Sequence, residues 1–333
     1  MGKRISFGII LGFVFLFSCK NEDPKPSKPV KITTPIVIVN TPQFNQDTAY
    51  NFIQKQVDFG PRVPNTKAHE NCANYLVKTL KNYGAKVLVQ EGEVIAFNRD
   101  KLQIKNIIAQ FSPEKKARVM LFAHWDTRPF ADHDSKDKYK PIDGANDGGS
   151  GVGVLLEIAR QISKKNTRIG VDIILFDAED YGTFSGEQQK MADDWCLGSQ
   201  YWAKNPPIAN YHPKYGILLD IVGGKNAVFP KEYFSTYFAE NIVTRVWSTA
   251  ERLGYSNYFV NQRLTVNQGI TDDHRYVNIL AKIPSIDIIS YDINLENPFG
   301  DFHHKHSDNM DLIDKNTLKA VGQTVMEVVY QEK

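Results

Sequence analysis

Val171-Asp-Ile-Ile-Leu-Phe176-Asp177-Ala178-Glu179-Asp180 is an apolar run of strand length that ends in three carboxylates within four residues. A run with so little polar alternation reads as a strand buried on both faces, as in the interior of a parallel sheet. Outward from it, residues 104–111, 119–123, 217–221 and 286–289 are runs of the same kind. Between them the apolar spacing turns helical. Cys72, Leu76 and Leu80 predict a helix over 65–83, closed by Gly84. Val154, Leu155, Ile158 and Ile162 predict one over 150–162, and Leu318, Val321, Val325 and Val328 one over 315–330. Strand–helix alternation argues an α/β fold, a single three-layer αβα domain around a central twisted, mostly parallel mixed sheet. There is no internal repeat, and no linker breaks the chain after Asn51.

Composition narrows the function classes. The 333 residues are 42% hydrophobic and 23% charged, ordinary values for a globular chain. Lys plus Arg number 40 against 38 acids, so nothing marks a nucleic-acid partner. Three cysteines are too few for a disulfide scaffold, and whether Cys72 and Cys196 pair stays open. Lys3 and Arg4 precede an apolar run over 5–17 that is too short to span a bilayer. This fits a secretory signal. Leu16-Phe17-Ser18-Cys19 resembles a bacterial lipobox. The expected organisation is a signal over 1–18, lipidation at Cys19, a Pro/Lys-rich tether over 19–41 and a catalytic domain over 42–333. The expected location is therefore the periplasm or outer membrane of a bacterium, held by lipid, and a monomer is expected.

In an open α/β sheet ligands bind at the carboxyl ends of the strands. Three such ends carry chemistry here: His124-Trp125-Asp126, Asp177-Ala-Glu179-Asp180, and Asp220 within Ile217-Leu-Leu-Asp220-Ile-Val. Like charges crowded at a low-dielectric strand end are costly unless a cation sits among them. Asp143-Gly-Ala-Asn-Asp147-Gly-Gly-Ser-Gly adds a loop whose small residues allow close backbone approach. Phe302-His303-His304-Lys305-His306-Ser307-Asp308-Asn309 places three of the eight histidines within four residues. Any one acid could simply cap a helix. Their joint occurrence points to a metal site, and mixed Asp, Glu and His donors point first to zinc.

At this point the residues carry a resemblance. His124-Trp-Asp, Gly144-Ala-Asn-Asp147, Phe176-Asp-Ala-Glu179-Asp180 and His304 fall in the order of the zinc aminopeptidase superfamily. The chain resembles its animal-type glutaminyl cyclases more closely at four places. These are His124-Trp125-Asp126, Leu218 to Gly223 followed by Phe229-Pro230, Asp272-Asp273-His274, and Pro298-Phe299 through His304 to Asp308-Asn309. The resemblance implies one zinc per chain on Asp147, Asp180 and His304. It implies Glu179 as the proton-transferring carboxylate and Asp220 as the holder of the substrate amide, with Asp273 in its hydrogen-bond network. The reaction implied is cyclisation of N-terminal Gln of a peptide or protein to pyroglutamate, with loss of ammonia. Trp195, Trp125 and His124 are expected at the pocket wall. Three positions depart from the animal pattern: Asp180 for Glu, Asp287 for a network His, and Gly148 for Ser. The alternative on the same frame is a hydrolytic aminopeptidase with two metals. It would use His124 and Asp220 on one metal and Asp180 and His304 on the other, bridged by Asp147.

Overall fold

The computed structural model describes Gly2, residues 40–189, Met191 and residues 193–333. The expected signal, the Cys19 lipidation site and the tether up to residue 39 lie outside the described residues, Gly2 apart. Among the described residues, no helix is long and apolar enough to cross a membrane.

Among the described residues the first elements are α1 (Gln46–Val57) and α2 (Lys67–Asn82), followed by the hairpin β1 (Lys86–Ile95) and β2 (Lys101–Phe111). Next come β3 (Arg118–His124), α3 (Gly149–Lys164), β4 (Gly170–Phe176), α4 (Leu197–Lys204) and β5 (Gly216–Asp220). The last third holds β6 (Phe229–Lys231), α5 (Tyr233–Arg252), β7 (Phe259–Arg263), α6 (Asp273–Ile279), β8 (Ser285–Ile289) and α7 (Lys315–Gln331). Six strands form one sheet in the order β1-β2-β4-β3-β5-β8. β4, β3, β5 and β8 are parallel, and β1 and β2 add an antiparallel edge. The expected mostly parallel mixed sheet is what forms.

Every residue of β3, β4, β5 and β8 is buried. Period-2 alternation divides them between two apolar layers. Leu121, Ala123, Ile173, Leu175, Ile217 and Leu219 pack with α1, α2, α3, α5 and α7. Met120, Phe122, Ile174, Phe176 and Leu218 pack on the other side with Trp202 of α4 and Val277 of α6. That is the three-layer sandwich. The stripe read over 65–83 is real: α2 buries Cys72, Ala73, Leu76 and Leu80, and Thr66 caps its first turn by accepting from the His69 N–H. The described residues from 40 to 333 form one compact unit.

Candidate active site

The parallel strands deliver their polar ends to one rim of the sheet. Asp126, just past β3, accepts from the backbone N–H groups of Glu179 and Asp180 at 3.1 and 3.2 Å. The end of one strand therefore fixes the loop after its neighbour. Asp308 does the same for the loop before α3, accepting from the N–H groups of Asn146 and Asp147 at 2.8 and 3.0 Å. Gly148 follows with φ +73°, and a Cβ there would lie 2.7 Å from the His124 ring. Glycine is needed at that position on both counts. Ala178, Ile221 and His304 also adopt left-handed backbone, with φ of 51°, 49° and 57°. Such conformations cost energy in non-glycine residues and persist where the surroundings hold them, commonly at functional sites.

The rim encloses a cavity of about 470 Å³, lined among others by Asp147, Glu179, Asp180, Asp220, Trp195 and His304. Asp147, Asp180 and His304 each offer a donor atom within 4.8 Å of the others, and all three residues are buried. His304 Nε2 lies 3.3 Å from Asp180 Oδ1 and 3.8 Å from Asp147 Oδ2. Neither carboxylate oxygen of Asp180 accepts a hydrogen bond. Burial and the charge of Asp147 push the Asp180 carboxyl well above its usual range. Such a group either holds a proton or faces a cation. Two carboxylates and one imidazole suit a borderline ion such as zinc, so the residues present fit the metal that the sequence suggested.

The other half of the rim is organised around His124. Its Nε2 lies 3.1 Å from both Asp147 Oδ1 and Asp220 Oδ1, and its Nδ1 lies 3.4 Å from Asp126. Burial opposes a charge on this ring, but Asp220, Asp126 and Asp147 outweigh it and hold its pKa well above the usual histidine range. Burial raises Asp220 to about 7 despite His124. Burial also pushes Glu179 well above the usual carboxylate range, with Asp272, Asp180 and Asp273 reinforcing it against the pull of His124. Asp273 is fully buried and does not line the cavity; its neighbour Asp272, which caps α6, does.

Two of the three side chains expected at the pocket wall lie beneath it. Trp125 is fully buried, stacks on His69 with centroids 4.3 Å apart, and donates from Nε1 to the Lys105 carbonyl. It follows Leu121 and Ala123 in the alternation, which sends it into the layer of α1, α2, α3, α5 and α7. His124 is also fully buried and is not among the residues lining the cavity. Trp195 does line the cavity, lying nearly parallel to His304 at 5.9 Å and 10°. Arg128 sits over the Trp195 ring at 4.7 Å. The same guanidinium makes two bonds to Asp132 at 2.7 and 2.5 Å and donates to the carbonyls of Asp180 and Thr183. Asp132 Oδ1 in turn lies 3.7 Å from His304 Nδ1.

The profile of Peptidase family M28 matches residues 106–329. The chain belongs to peptidase family M28. Among solved M28-like structures, a Zn-dependent exopeptidase from Parabacteroides distasonis is 54% identical, with a TM-score of 0.86, and covers 88% of this chain and 100% of its own. Tannerella forsythia glutaminyl cyclase is 53% identical, with a TM-score of 0.85 and the same coverages. Among curated proteins, the glutaminyl-peptide cyclotransferase of Boiga dendrophila is 25% identical over 263 residues. That match takes in 68% of this chain and 65% of the snake protein, so the chain spans about two thirds of such relatives. The likeness to glutaminyl cyclases read from the sequence is borne out by these matches.

Within this M28 frame, the sequence had singled out Asp147, Asp180, His304, Glu179, Asp220 and Trp195, and all line the one cavity. The Arg128–Asp132 pair went unseen, because it joins a loop to Trp195 and His304 far along the chain. So did the thiol of Cys196, which lies 3.0 Å from Glu179 Oε1. Cys72 and Cys196 are both free and buried.

Proposed function

We propose that this M28 chain is a zinc-dependent glutaminyl-peptide cyclotransferase, acting on peptides or proteins with N-terminal Gln. The observation that carries this reading is the division of labour among carboxylates on one cavity. Asp147 and Asp180 converge with His304, while Glu179 faces the same cavity from outside that cluster. One zinc would be held by Asp147, Asp180 and His304, and when bound it supplies Lewis-acid polarisation of a carbonyl oxygen.

The remaining work falls to side chains. Asp220, at the cavity wall, holds the γ-carboxamide in line with the substrate's own α-amine, a positioning role. Glu179 accepts a proton from that amine as its nitrogen bonds to the γ-carbon. It returns the proton to the departing nitrogen as the carbon–nitrogen bond of the amide breaks. Pyroglutamate and ammonia result. A carboxyl with a raised pKa suits both directions of transfer near neutral pH. Trp195 walls the pocket against the His304 ring. We assign Asp273, buried at the start of α6, to the network that holds Asp220, on the strength of the resemblance alone.

A two-metal aminopeptidase remains as the second reading, because His124, Asp147 and Asp220 also form a cluster within 4.8 Å. Against it stands the likeness to solved glutaminyl cyclases 52–53% identical to this chain. The N-terminal segment is assigned on sequence grounds: a signal over 1–18, lipidation at Cys19, a tether over 19–41 and the catalytic domain from 42. On that assignment we infer an exported enzyme, periplasmic or at the outer membrane of a bacterium, acting as a monomer on exported substrates.

The test is parallel incubation with a Gln-peptide and with neutral aminopeptidase substrates, read by mass. Loss of one ammonia without loss of a residue supports the cyclase; release of free amino acids supports the hydrolase. Glu179→Gln should lower turnover at least ~100-fold while zinc content is unchanged.

A further inference from the structure

We propose that Cys196 is a positioning residue for the reaction, its thiol holding the Glu179 carboxylate in the orientation that proton transfer needs. This rests on the reading of Glu179 as the proton-transferring group. Cys196 Sγ lies 3.0 Å from Glu179 Oε1, and the thiol is fully buried.

The donor is held rigidly against its acceptor. The Cys196 N–H donates to the Glu179 carbonyl at 2.9 Å, and the Leu197 N–H donates to the Ala178 carbonyl at 3.0 Å. The two segments thus form a short ladder that fixes one side chain beside the other. Cys196 stands at the start of α4 in left-handed backbone, φ 56°. Asn106 ties that helix start to the strand end. Its Nδ2 donates to the Gly198 carbonyl at 2.9 Å, and its Oδ1 accepts from the Asp177 N–H at 3.0 Å.

Glu179 needs such a hold. It stands at a rim where Asp147, Asp180, Asp220 and Asp272 line the same cavity, and the Cys196 thiol is the group within hydrogen-bond distance of its Oε1. A thiol is a weak donor. It orients the oxygen while taking little from its basicity, whereas a charged or backbone donor would stabilise the anion and blunt it as a base. Burial and the Glu179 charge push the thiol pKa well above its usual range, so it remains a donor throughout turnover.

The experiment compares wild type, Cys196→Ala, Cys196→Ser, Glu179→Gln and the Glu179→Gln/Cys196→Ala double variant. Steady-state kinetics on a Gln-peptide and zinc content are measured for each. Cys196→Ala should lower kcat by about three- to fivefold, the lower range for one lost hydrogen bond because a thiol donates weakly, with KM and zinc content within about twofold. Cys196→Ser, which keeps a donor, should recover most of that loss even if the alanine variant folds poorly. In the Glu179→Gln background, removing the thiol should leave the residual rate unchanged. A wild-type kcat in Cys196→Ala would overturn the proposal. So would an equal loss in both backgrounds, or a serine variant no better than alanine. A fully active Glu179→Gln would instead withdraw the reading of Glu179 itself, and that outcome is distinguishable because it precedes any question about the thiol.

Discussion

Replacing Glu232 by Gln isolates one buried charge and its effect on stability. Glu232 precedes α5 and accepts from the N–H groups of Phe234 and Ser235 at 2.8 and 2.6 Å, and from that of Ile270 at 3.2 Å. His274 Nε2 lies 3.0 Å from Oε2, the oxygen that also accepts from the Ser235 N–H. Burial alone would raise this carboxyl, but His274 and the backbone donors pull it down from 4.5 to about 2. A folded pKa below the unfolded one stabilises the protein above the unfolded pKa, and that stability is lost as pH falls through the folded value. At roughly 1.4 kcal/mol per unit, the contribution is about 3 kcal/mol at pH 7. It falls to about 2 kcal/mol at pH 3.5 and vanishes below pH 2 by the same linkage. Gln mimics the protonated side chain. Urea unfolding of the zinc-loaded protein at both pH values should therefore show a wild-type advantage that narrows by about 1 kcal/mol on acidification. A gap that stays constant with pH, or one under about 1 kcal/mol at pH 7, would refute the assignment of that charge.

Other perturbations probe the site. Asp132→Asn frees Arg128 and removes the carboxylate beside His304 Nδ1, so zinc affinity measured by chelator competition should fall about 10- to 100-fold; unchanged affinity would leave that carboxylate without a part in holding His304. Gly182→Ala places a Cβ 2.1 Å from the Trp195 ring. It should displace that ring, raise KM for Gln-peptides more than it lowers kcat, and cost about 1–3 kcal/mol of stability; wild-type KM would mean that Trp195 does not contact substrate. Chelation should abolish turnover and lower the melting temperature. Zinc restored to about 100 times its Kd should return roughly 2.7 kcal/mol, and a melting temperature indifferent to zinc would argue against a bound ion.

The strands were legible because burial on both faces leaves a simple signature, an apolar run that turns polar where the sheet meets the cavity. β1 escaped notice for the opposite reason. It lies at the edge with no residue fully buried, so exposed and half-buried positions mix along it. α5 was hidden by its aromatic start and by a break in helical geometry at Ala239, φ −146°. In the site, acids at strand ends could be found because their crowding has a physical cost. Their roles came from the resemblance. Trp125 illustrates the limit: its place in the motif suggests a pocket wall, but counting by twos from Leu121 puts it in the layer of α1, α2 and α3. Arg128 could not be read at all, since its partners Asp132, Trp195 and the carbonyl of Asp180 meet only after folding.

Asp147 touches both imidazoles at once, His124 through one oxygen and His304 through the other. The frame therefore contains two adjoining half-sites that share a single aspartate. The proposed one-metal cyclase and its two-metal alternative would therefore differ in what occupies the His124 side, with the same backbone serving both.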